Sequence, residues 1–137
     1  MAEAILRSLG RLHFAAFSAG VTPAEAVDPH VLGVLKERDV SSEALVPKGL
    51  QALEGQSFDY VITLSDPARE RVPDFAGANV IHWSFGDPER SLDEHTDPRA
   101  FEHLFGGLAQ RIRLLMIIAE RREREDHGGS AAYAKSV

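Results

Sequence analysis

An α/β fold, with a small parallel sheet and helices on both faces in three layers, is what this chain predicts, on three observations. Apolar runs rich in β-branched and aromatic residues recur at residues 13–18, 58–64 and 79–85. Segments with three- and four-residue apolar spacing lie between and after them. Each apolar run closes on Ser, Gly, Asp or Pro, the residues that end strands and start helices. Strands alternating with helices call for parallel βαβ units.

The elements follow in order. Residues 1–9 read as a short helix with Ile5, Leu6 and Leu9 on one side and Gly10 as its stop. His13-Phe14-Ala15-Ala16-Phe17-Ser18 reads as a buried strand opening into a loop. Ala24 to about Arg38 has helical spacing, but Pro29 breaks it. A second start is expected there, with Asp28 as cap and Pro29 in the first helical position. Residues 46–54 suggest a short helix. Phe58-Asp59-Tyr60-Val61-Ile62-Thr63-Leu64 is the clearest strand, and Ser65-Asp66-Pro67 ends it, with Asp66 expected to cap a short helix. Asn79 to Phe85 is a third strand, broken by Gly86-Asp87-Pro88. Thr96-Asp97-Pro98 opens the longest helix, whose stripe runs Phe101, Leu104, Phe105, Leu108, Ile112, Leu115, Ile118. Its end, Glu120 to Glu125, is a mixed-charge solvated extension. The expected organisation is one domain over 1–127 and a flexible tail over 128–137.

Bulk properties narrow the function. The chain has 137 residues, 44% hydrophobic and 26% charged, which suits one core. A formal net charge of −6 argues against nucleic acid or an anionic membrane as partner. With no cysteine there is no disulfide, no thiolate metal site and no thiol nucleophile. The longest apolar run, Leu114 to Ala119, is too short to span a bilayer, and no signal-peptide pattern precedes the first helix, so a cytoplasmic protein is expected.

Ligands of open α/β sheets bind at the carboxyl ends of the strands. Those ends are Ser18-Ala19-Gly20, Ser65-Asp66-Pro67 and Gly86-Asp87-Pro88. Asp87 is the best single candidate: past an aromatic-rich strand, a partly desolvated carboxyl group can donate a proton. On spacing alone, Asp-Pro is more often simply a turn or cap. Ser18 and Ser65 have no evident base, and a strand-end serine often satisfies local backbone. His82 and His95 flank Asp87 without the spacing of a metal site, so neither a metal nor a cofactor is expected. His103 falls on the exposed side of the long helix.

Four segments then combine. Met1-Ala2-Glu3-Ala4-Ile5-Leu6-Arg7, Phe17-Ser18-Ala19-Gly20, Phe58 to Leu64 and His82-Trp83-Ser84-Phe85-Gly86-Asp87-Pro88 follow one another. In this order and spacing they resemble the low-molecular-weight protein tyrosine phosphatase superfamily. The closer likeness is to its thioredoxin-coupled arsenate reductase branch, where His-Trp precedes the Asp-Pro loop. The resemblance covers residues 1 to about 118.

It implies a phosphotyrosine phosphatase I-like fold whose first strand leads into a Cys-x5-Arg phosphate loop ahead of the segment matching Met1 to Glu3. That strand, the nucleophile and the arginine have no counterpart in the chain. The resemblance assigns the general acid to Asp87 and loop support to Ser18. It also assigns two ligands of a potassium ion found in some arsenate reductases to Glu3 and Ser18. A third, acidic ligand falls on Lys48, whose ammonium can replace the ion. The redox cysteines of the branch fall on Ser65 and Val72, which cannot form a disulfide.

The family chemistry is phosphate-monoester hydrolysis or arsenate reduction. The expectation for this chain is a catalytically inactive relative with, at most, weak binding of a phosphate-like oxyanion. Two readings stand: a recorded start that lies inside a longer gene product, or a shortened relative serving as a binding or dimerisation module. The family's first strand lies between those at 13–18 and 58–64. Its loss would leave two unpaired edges, so either those strands close up to pair directly or another subunit fills the gap, and a homo-oligomer is expected.

Overall fold

The computed structural model describes residues 1–85, 98–127 and 134–136. Helix α1 (Ala2–Leu9) is buried along Glu3, Ala4, Ile5 and Leu6. It ends at Gly10, whose carbonyl accepts from the amides of His13 and Phe14 at 3.0 and 2.9 Å. A side chain at Gly10 would stand 2.9 Å from Phe14 Cβ, so the turn into strand β1 (Phe14–Ala16) requires glycine's bare backbone. Helix α2 (Pro29–Glu37) starts where the proline predicts: the Asp28 carboxylate accepts from the His30 amide at 2.7 Å. A 3₁₀ turn at Leu50–Leu53 stands where a short helix was expected.

Strand β2 (Tyr60–Thr63) leads into α3 (Asp66–Arg71). The cap of α3 is Ser65 rather than Asp66. Ser65 has extended backbone, and its hydroxyl accepts from the Ala68 amide at 3.3 Å, which puts Asp66 inside the first turn. Strand β3 (Asn79–His82) and the long helix α4 (Pro98–His127) follow.

The chain returns to the sheet once more. Residues Ala134–Ser136 form strand β4, where a flexible tail was expected. The sheet order is β1-β4-β2-β3, parallel throughout. Strand β4 therefore lies between β1 and β2, in the gap expected to need another subunit. Phe14, Ala15 and Ala16 are in register with Ala134, Lys135 and Ser136, and Ser136 is also in register with Tyr60. An interior slot flanked by two rows of unmet backbone donors and acceptors is costly to leave open. Residues Ala134–Ser136 meet part of that demand from within the chain.

Two cores flank the sheet. Ile5 and Leu6 of α1 pack with Phe14, Ala16, Tyr60 and the α4 residues Leu108, Ile112 and Leu115. On the other side Leu53, Phe58, Val61 and Phe75 form a smaller cluster. Tyr60 belongs to the first and Val61 to the second, as the two-residue alternation of a strand demands. Among the described residues no helix is long and apolar enough to cross a membrane.

Candidate functional site

The last described residue of β4 is level with Ala16 and Tyr60. Strand β1 also ends at Ala16 and leads into a loop through Phe17 and Ser18, while β2 continues through Val61, Ile62 and Thr63. Among the described residues no strand lies between them beyond Ser136. A cavity of about 520 Å³ opens there, lined by Phe17, Ser18, Val61 and Thr63 from the strand ends and by Ile112 and Leu115 of α4. Ala2, Glu3 and Leu6 of α1 and Arg71 of α3 also line it.

Glu3 is the buried acid of this site. Its side chain is 2% exposed. Arg7, one helical turn on, donates to it at 2.6 Å and also to the Ala16 carbonyl at 3.3 Å, tying α1 to the end of β1. The Ser18 hydroxyl donates to the other Glu3 oxygen. Lys48 Nζ lies 3.9 Å from that same oxygen. Lys48 is brought there by the Gly20 amide donating to its carbonyl at 2.9 Å, beside a parallel bridge between Gly20 and Gly49. Glu3, Ser18 and Lys48, far apart in sequence, thus converge on one carboxylate. A cation does not fit between them: the carboxylate already faces a guanidinium and an ammonium. Among the described residues no group of three or more His, Asp or Glu could hold a metal.

A second polar cluster sits at the ends of β2 and β3. Thr63 and His82 are in register, and Thr63 Oγ1 is 2.8 Å from His82 Nδ1. His82 Nε2 is 3.5 Å from the carboxylate of Asp66. The Trp83 amide donates to the Thr63 carbonyl at 2.9 Å and extends the pairing. Sequence reasoning leaves this relay unseen, because it depends on strand register and not on spacing. It satisfies the hydroxyl of Thr63, which is 4% exposed, and places Trp83 on the cavity wall. Ser65 and Val72 stand at the two ends of α3, as its N-cap and C-cap. Burial holds the α-amino group of Met1 below its ordinary value, while the Glu3 carboxylate pulls it the other way. Asp87 and His95 lie outside the described residues. His103 is exposed on α4.

The model of low molecular weight phosphotyrosine protein phosphatases matches residues 1–124. The chain belongs to that family. A search among curated proteins finds no match. Among solved structures, an arsenate reductase in its reduced state superposes with a TM-score of 0.69 at 19% identity, over 86% of each chain. That likeness is one of fold. Among the described residues the sheet has four strands, and the one between β1 and β2 comes last in sequence.

Proposed function

We propose that this chain, as it stands, is a non-catalytic member of the low molecular weight phosphatase family. It keeps the family's supporting positions and holds a phosphate-like oxyanion weakly at most. The observation that carries this reading is the composition of the site. The cavity at the strand ends is built around a neutralised carboxylate, and the chain of 137 residues contains no cysteine to attack phosphorus. Glu3, Ser18 and Lys48 are assigned to loop support, and Asp87 to the general-acid position, where it has no thiol to serve. Neither serine replaces the thiol: Ser18 donates to the buried Glu3 carboxylate, and Ser65 caps α3.

Turnover of para-nitrophenyl phosphate by purified chain and by Asp87→Ala decides the matter. The expected result is no difference between them and no rate above a heat-inactivated control. A wild-type rate well above that of Asp87→Ala would overturn the reading. Without cysteines at 65 and 72, the chain is likewise expected to leave arsenate unreduced in the presence of a dithiol reductant.

A further inference from the structure

We propose that the cavity between the ends of β1 and β2 is a binding site for a small amphiphile with an apolar body and one anionic head. The inference shares its location with the reading above but does not rest on phosphate chemistry.

Its first support is the lining. Phe17, Ile62, Leu64 and Trp83, all half-buried, present hydrocarbon and aromatic surface to the cavity, backed by the buried Leu6, Val61, Ile112 and Leu115. At about 520 Å³ it falls within the range of roughly 300–1,000 Å³ usual for small-molecule sites. The larger part of the surface facing this space is apolar, so covering it with apolar matter is favourable.

The charges choose the head group. Among the described lining residues the charged ones are Glu3 and Arg71. The Glu3 carboxylate already has Arg7, Ser18 and Lys48 around it and has no call for a ligand cation. Arg71, on the last turn of α3, makes no ion pair among the described residues and lies exposed where the cavity meets solvent. A guanidinium there pairs with a carboxylate or sulfonate, in up to two parallel hydrogen bonds. The Ser65 hydroxyl accepts from the Ala68 amide and keeps its proton to donate to the head group. The ligand class is therefore a medium-chain or aryl carboxylate rather than a bare inorganic anion, which would leave the apolar lining uncovered.

The molecule carries its own reporter. Trp83 is the only tryptophan and lines the cavity. Full-length chain is titrated with octanoate, with n-octylammonium and with inorganic phosphate, following Trp83 emission and, separately, heat of binding. The proposal expects saturable octanoate binding, at least about tenfold weaker binding of octylammonium, and no Trp83 response to phosphate. Arg71→Glu, a surface change, should weaken octanoate about tenfold or more and favour octylammonium. Ala68→Phe, which adds bulk to the wall from α3, should weaken both.

Absence of saturable octanoate binding to the wild type overturns the proposal. So does equal affinity for the two head groups, or octanoate binding unchanged in both variants. Phosphate binding without octanoate binding would leave the phosphatase-family reading intact while removing this one.

Discussion

Replacing Glu3 by alanine tests whether the buried carboxylate holds the site together. Arg7, whose side chain is 43% exposed, can turn to water, so losing its partner costs roughly 0–1 kcal/mol. The Ser18 hydroxyl loses its acceptor, about 1 kcal/mol. Lys48, 27% exposed, loses a contact that solvent can largely replace. One buried methylene goes with the side chain, at about 0.8 kcal/mol. Against this, a charge no longer has to be desolvated, which offsets on the order of 1 kcal/mol. The net expectation is a loss of about 1–2 kcal/mol. For a chain of 137 residues that is a fall in Tm of roughly 3–8 °C. Glu3→Gln keeps the methylenes and an acceptor oxygen and should cost only about 1 kcal/mol. Urea unfolding followed by far-ultraviolet circular dichroism gives both values. A Glu3→Ala chain as stable as the wild type would refute the reasoning, since the carboxylate would then be a burden on the fold and not its tie.

Three further perturbations follow from the fold. Ser136→Pro puts a residue without an amide at the one position of β4 in register with both neighbours, and should cost about 1–3 kcal/mol in urea unfolding; an unchanged midpoint would mean that β4 does not hold the slot. Leu108→Ala, at a position 2% exposed on α4, should lose about 2–5 kcal/mol, whereas Leu114→Ala on the same helix, 55% exposed, should change stability by no more than about 0.5 kcal/mol; similar losses at the two would contradict the packing described. The lowered Met1 amine gives a pH effect of known sign. The folded state binds that proton less tightly than the unfolded chain, so stability should rise as pH increases from the depressed folded value toward about 8, and an N-terminally acetylated chain should lose that slope; a slope of opposite sign in the free-amine chain alone would refute it.

Elements whose signals are local were legible in the sequence. Pro29 behind Asp28 fixed the start of α2, because a proline without an amide fits the first turn and an aspartate caps it. The stripe from Phe101 through Leu115 fixed α4, because burial at three- and four-residue steps has no other outcome. Ser65 and Asp66 are both good caps, and the choice between them lies in backbone angles that composition does not reveal. Strand β4 was illegible for a stronger reason. Ala134-Lys135-Ser136 has no β-branched or aromatic residue, so nothing local asks for a strand. Its conformation is imposed by the slot, a tertiary demand overriding weak propensity. The convergence of Lys48 on Glu3 was visible through family resemblance alone, since the Gly20–Gly49 bridge that delivers it joins two loops. The pairing of Thr63 with His82 needed the register.

The same register accounts for what supports the fold and what opens the site. Below the level of Ser136, the sheet between β1 and β2 is filled from within the chain, and Phe14, Ala16 and Tyr60 are buried. Above it, Phe17, Ile62, Leu64 and Trp83 are apolar yet only half-buried, and they line a cavity. Leaving that lining in contact with water or with nothing forfeits part of the stabilisation its burial would contribute, at about 25 cal/mol per Å² of apolar surface. A ligand that covers it restores the missing contacts and binds only the folded state, so its binding adds directly to the stability of the domain. In this chain, occupying the site and completing the core are one event. That is why an apolar body, and not an oxyanion alone, is the ligand the geometry favours.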